Sequence, residues 1–178
     1  MKTKTILPVL AALLLAACGK EASAPPSSAA PEIDPRIDAL FMEISAEKLA
    51  KIPEARHSHS VKDELVLEGR IMGAMDLFVD GHAMFVLGDM ETVTPCIDMP
   101  DPSHCDTPWD ACCDPKELRI QGTATVQVLD EQGQVIPQGL EGVNGLEKLS
   151  KVRVKAQVAA GSDGEAFILN ALALQVLP

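Results

Sequence analysis

From Val61 onward the apolar residues of several segments recur at every second position, and this period of two restricts those segments to strands with one buried face. Leu65, Leu67, Gly69 and Ile71 alternate with Val66, Glu68, Arg70 and Met72, giving a strand with a glycine where the sheet bends. Leu77 to Leu87 is divided by Asp80-Gly81, a hairpin signal. Leu118 to Ile120 and Thr123 to Leu129 continue as strands, Glu131-Gln132-Gly133 is the next turn, and Val135-Ile136 returns. Residues 137 to 149 hold three glycines and spaced apolar residues, a loop with a short helix. Val152, Val154, Ala156 and Val158 then alternate with Arg153, Lys155 and Gln157, and Gly161-Ser162-Asp163-Gly164 turns the chain into a last strand, Ala166 to Val176. The expectation is an all-β, five-stranded barrel with a short helix before its fourth strand.

Ahead of this region the period is helical. Asp34 caps, Pro35 takes the first helical position, and Ile37, Leu40, Phe41, Ile44, Leu49 and Ile52 line one face. An amphipathic helix over residues 35 to 52, ending before Pro53, is predicted, with residues 34 to 61 as helix and linker. Residues 19 to 33 are rich in Ala, Ser and Pro and too poor in large apolar groups to repay ordering, so they read as a tether.

The first residues carry a different signal. Lys2 and Lys4 precede the apolar run Ile6 to Leu15, which is too short to span a membrane and fits a secretory leader. It ends in Leu15-Ala16-Ala17-Cys18, which resembles the lipobox of bacterial lipoproteins. The resemblance implies cleavage after residue 17, a diacylglycerol thioether on Cys18 and an acylated amine. Several acyl chains, at about 0.8 kcal/mol per buried methylene, anchor a protein stably in a lipid bilayer. Gly19 and Lys20, rather than Asp, follow the cysteine, which in that family favours the outer membrane of a cell with two membranes; the resemblance implies a domain in the cell envelope, periplasmic or surface-exposed.

The runs Leu67-Glu68-Gly69-Arg70, Phe85-Val86-Leu87-Gly88-Asp89 and Leu149-Ser150-Lys151-Val152-Arg153-Val154, followed by Ile168 and Ala171, resemble small bacterial OB-fold domains over residues 62 to 178. Such barrels bind oligonucleotides, oligosaccharides or proteins on the face of their second and third strands. Nucleic acid is disfavoured here. The formal charge is -11, and losing Lys2 and Lys4 with the leader makes it two charges more negative. Aromatics are 3% of residues with no Tyr, which removes most stacking surfaces, and Met84 and Phe85 have few basic neighbours.

The chemistry of the chain is concentrated between the second and third strands. Residues 96 to 113 contain Cys96, Cys105, Cys112 and Cys113, every cysteine but Cys18, and the single tryptophan, Trp109. In an exported domain four cysteines point to two disulfides. The adjacent pair is poorly placed to bridge with itself, because a trans peptide holds neighbouring Cα atoms at about 3.8 Å. Cys96 and Cys105 are therefore each expected to join one of Cys112 and Cys113. Loops this short gain about 2–4 kcal/mol per bridge in the chain-entropy view.

Two other chemistries use the same residues. Cys96, His104, Cys105, Cys112 and Cys113, with Met99 nearby, offer soft ligands for Cu or Zn, while Asp98, Asp101, Asp106 and Asp110 attract cations generally. A thiol-disulfide exchange centre lacks both a Cys-x-x-Cys pair and a basic neighbour to activate a thiol. Trp109, flanked by Pro108 and Asp110, is the candidate contact residue for a protein or envelope component, or else a plug over the barrel.

Elsewhere, His57 and His59 alternate on a stretch expected to be extended and solvated, and His82 sits at the hairpin. Met72, Met75, Met84 and Met90 read as core filling rather than a copper path. Glu43 and Glu47 fit a solvated helix face. No nucleophile elbow, zinc-protease, Walker or Rossmann pattern occurs, so a non-enzymatic binding module without a required cofactor is the expectation.

Overall fold

The computed structural model describes residues 32–178; the leader, Cys18 and most of the tether lie outside them. Among the described residues six strands form, and five close into a barrel of mixed direction. The elements are α1 (Pro35–Asp38), β1 (Leu49–Ala50), α2 (Ile52–Ser58), β2 (Glu64–Arg70), β3 (Met84–Gly88), α3 (Lys116–Gly122), β4 (Thr123–Gln127), β5 (Lys151–Val158) and β6 (Ile168–Val176). No helix among them is long and apolar enough to cross a membrane.

Closure follows from the pairing. β2 runs antiparallel to β5 along its whole length, from Glu64 opposite Gln157 to Arg70 opposite Lys151. Its other edge meets β3 only at Arg70 and Gly88, and β1 pairs there in parallel at Val66 and Leu67. β3 is antiparallel to β4, β4 parallel to β6, and β6 antiparallel to β5, with a register shift at Lys155/Ala156. The alternation of β2 is read directly in its burial: Leu65 and Leu67 are inside while Val66, Glu68 and Arg70 are partly exposed. Gly69 is required by closeness, because a Cβ there would lie 2.6 Å from the Gly88 carbonyl oxygen.

Phe85, Leu67, Leu87, Val126, Val154 and Leu169 form the centre of one continuous core. Leu140, Val143 and Leu146 join that core from residues 137 to 149. The short helix expected there is a single 3-10 turn, Val143–Gly145, entered through Gly142 at φ +84°. The hairpin and the next turn are where the sequence puts them, with Gly81 and Gly133 in the left-handed region.

Two expectations are overturned. The helix over residues 35 to 52 is one turn long, because the barrel offers its backbone better partners than a helix would. The Met42 amide donates to the Leu174 carbonyl and the Leu174 amide to that of Leu40, at 3.0 and 2.8 Å, so the chain lies along β6 as a strap. The Ile44 amide donates to Gln175 Oε1, and Arg153 Nη1 donates to the Ile44 carbonyl. Ile37 and Ile44 are still buried, so helical spacing was satisfied without a helix, while Leu49 is exposed. Pro53 begins a helix instead of ending one: it lies in the first turn of α2, where a missing N–H costs nothing. The strand expected at Leu118 to Ile120 is α3, which starts after Pro115 and runs into β4. Three apolar residues are too few to carry a period.

Candidate metal centre

The segment joining β3 to α3 is anchored at both ends. Asp89, 2% exposed, accepts from the Glu91 amide and the Thr92 hydroxyl through Oδ1, and from the Ile52 amide through Oδ2. Its carboxylate thus satisfies an amide at the start of α2, whose cap residue Lys51 supplies no side-chain bond. The Thr94 amide donates to Asp114 Oδ2 at 2.7 Å, tying the way in to the way out. Inside that tie the Cys96 amide donates to the Asp110 carbonyl and the Ile97 amide to that of Pro108. Ala111 packs with Met72 and Val93 in a small satellite core.

This frame brings the four thiols together. The Sγ atoms of Cys96, Cys105, Cys112 and Cys113 all lie within 4.8 Å of one another, the one such convergence of three or more Cys, His or acidic groups among the described residues. Cys96 is fully buried, Cys105 half-buried, and Cys112 and Cys113 exposed. The two expected disulfides are not formed. Cys96 and Cys112 are 3.3 Å apart and Cys105 and Cys112 4.0 Å apart at sulfur, against about 2.05 Å for a bond. Cys112 thus lies within hydrogen-bonding reach of both Cys96 and Cys105, closer to Cys96.

The cluster is also an electrostatic problem. Burial works to raise the Cys96 thiol, yet hydrogen bonds from Cys105 and Cys112 outweigh it and hold its pKa below the ordinary value. Its hydrogen bond to Cys96, followed by desolvation, pushes Cys112 up to about 11, and the contact with Cys96 likewise raises Cys105. One thiolate is stabilised at the expense of its neighbours, and a cation bound among them would favour ionisation of the rest. A tetrahedral ion with metal–sulfur bonds of about 2.3 Å places its ligand atoms about 3.8 Å apart, within the spread seen here. Sulfur ligands in that geometry select Zn, Cu(I) or iron–sulfur chemistry over hard cations.

The other predicted site residues divide. His104 lies in the turn Pro102–His104, and its side chain is outside the described set. Asp110 is 5% exposed and accepts from the Ala111 amide. Pro108 lends its carbonyl to Ile97. Trp109 is half-buried against the main core; its Nε1 donates to the Met75 carbonyl at 2.8 Å, and Lys148 Nζ sits 4.3 Å from the ring centroid. The carbonyl of Trp109 accepts from the Gly73 amide. A groove of about 660 Å³ opens beside it, lined in part by Met75, Val79, Asp80, Glu141 and Lys148.

His57 falls in the last turn of α2 and His59 just beyond, with Nδ1 3.0 Å from Ser58 Oγ. His82 is exposed beside the Asp80 carbonyl. Met72 is buried against Gly88 and the satellite core, whereas Met75 and Met90 are exposed. Sequence reasoning missed the bracing roles of Asp89 and Lys148: Asp89 makes a local turn with Glu91 and Thr92, but its bond to the Ile52 amide and the contact of Lys148 with Trp109 reach far along the chain and leave no local signal.

Fold and site together define a closed β-barrel carrying a four-cysteine cluster that runs from buried Cys96 to exposed Cys112 and Cys113. Comparison with protein-family models, curated proteins and solved structures finds no match to this chain.

Proposed function

We propose that this protein is an exported, bilayer-anchored lipoprotein whose OB-like barrel holds a soft metal ion, Zn²⁺ or Cu⁺, between Cys96, Cys105, Cys112 and Cys113. The observation that carries the reading is the convergence of the four sulfur atoms within 4.8 Å. The OB-like assignment is supported by the pairing order, in which the third barrel strand, β4, lies parallel to the fifth, β6, and the first, β2, closes on the fourth, β5. The lipobox supports attachment through Cys18, with outer-membrane placement following from Gly19 and Lys20. The acidic surface suits a role that draws cations and not nucleic acid.

The direct test is metal content of the reduced full-length chain after loading and desalting. One ion per chain is expected, with X-ray absorption showing sulfur neighbours at about 2.3 Å. Cys96→Ser should lower occupancy at least tenfold. A reduced, folded chain that retains no zinc or copper refutes the reading. Intact mass of the native form tests the anchor: a chain beginning at residue 1 without acyl mass removes it.

A second reading is favoured by the groove beside Trp109: the loop is a docking element for a protein or envelope component, with Trp109, Pro108 and Asp110 as its centre. Pull-down compares the wild-type chain with Trp109→Ala, and zinc content measured on the same two chains separates docking from metal binding.

A further inference from the structure

We propose that the four-thiolate centre is a peroxide-sensitive latch, in which hydrogen peroxide converts the metal-bound sulfurs to two disulfides and expels the ion. This inference rests on the metal reading above. Three features carry it. The two exposed cysteines, Cys112 and Cys113, place sulfur where an oxidant in solution reaches it. Buried Cys96 lies 3.3 Å from Cys112 at sulfur, so a bond of about 2.05 Å needs little more than a side-chain rotation and a small shift of the turn. Finally, the exposed sulfurs are sequence neighbours that bridge poorly with each other, so each takes a partner from Cys96 and Cys105 and no thiol is left over.

The chemistry balances. The Cys112 thiolate attacks one peroxide oxygen, the O–O bond breaks, one oxygen stays on sulfur as the sulfenic acid, and the other leaves as water after protonation. The Cys96 thiolate then attacks the Cys112 sulfur, forming the S–S bond and releasing the second oxygen as water. A second peroxide repeats this at Cys113 and Cys105. Four thiolates lose four electrons, two peroxides gain them, four protons are consumed, and four waters and the free divalent ion are the products. Oxidation removes all four negative ligands, so the ion has nothing left to hold it.

The experiment uses the full-length chain in detergent, reduced, freed of reductant and loaded with one equivalent of Zn²⁺. Hydrogen peroxide is added in steps, release is followed with a chromogenic zinc chelator, and samples are taken for intact mass. One zinc is expected per two peroxides, with the mass falling by four hydrogens, and a dithiol reductant should restore binding. Cys105→Ser should form one bridge and lose two hydrogens with the first equivalent of peroxide, and further peroxide should add oxygen at the unpartnered Cys113. Zinc that stays bound through excess peroxide, or that leaves with oxygen added and no bridges made, overturns the inference while the metal reading stands. A reduced chain that takes up no zinc removes the metal reading and the latch together.

Discussion

Trp109 is held on three sides, which makes its truncation a measure of how the loop is fixed to the barrel. Replacing it by alanine deletes the half-buried ring, the hydrogen bond to the Met75 carbonyl and the contact with Lys148. A fully buried Trp costs about 3–5 kcal/mol on truncation, and roughly half of that applies to a half-buried ring. The hydrogen bond adds about 1 kcal/mol and the exposed cation–π contact about 0.5. Trp109→Ala should thus cost about 3 kcal/mol and lower Tm by roughly 6–12 °C for a domain this size. Trp109→Phe isolates the indole N–H and should cost about 1 kcal/mol. Unfolding in urea is followed by far-ultraviolet circular dichroism, since the variants remove the single tryptophan. Crossing Trp109→Ala with Lys148→Met should give a coupling of about 0.5 kcal/mol. A Trp109→Ala chain within 0.5 kcal/mol of wild type would show that the ring is a free contact surface and not a strut.

Gly69→Ala drives a Cβ to 2.6 Å from a backbone oxygen that cannot rotate away, and should cost about 1–3 kcal/mol. Gly133→Ala, in open space at φ +78°, carries only left-handed strain of about 1 kcal/mol, so a Gly69→Ala loss smaller than that of Gly133→Ala in thermal melts would contradict the close approach of β2 and β3. The side-chain hydrogen bond with Arg36, then the Arg36 amide, holds the Asp34 carboxyl at about 2, below its usual 3.8. Its stabilising effect is present above pH 4 and is lost as pH falls toward 2, so Asp34→Asn should flatten the stability profile in that window. Identical profiles for the two chains would exclude that contribution.

The barrel strands were legible because each buries one face: β2, β5 and β6 follow their alternation within a few residues. Their order was not, since the meeting of β2 with β5, from Arg70 with Lys151 to Glu64 with Gln157, leaves no trace in either strand. The region around Ile37 to Ile44 misled for a physical reason. Spacing at three and four places the same residues inward on a helix or on an irregular strap pinned to Leu174, and only the partner decides. Two-residue β1 is below the length at which a period exists. In the loop, the grouping of Cys96, Cys105, Cys112 and Cys113 was legible from composition, and their sulfur separations were not, because these depend on backbone contacts such as Cys96 with Asp110 and Ile97 with Pro108 that leave no signal in the spacing.

The long pairing of β2 with β5 has a consequence for assembly. When β2, β3 and the cysteine segment have been made, the strand that zips along all of β2 is still to come, so the barrel cannot shut until late in synthesis. The contacts that shape the sulfur cluster, from Thr94 with Asp114 to Cys96 with Asp110, span twenty residues or fewer. Short loops cost less entropy to close than long ones. The thiols can therefore gather ahead of the β-structure that will carry them, and whatever first meets them does so on a half-built protein.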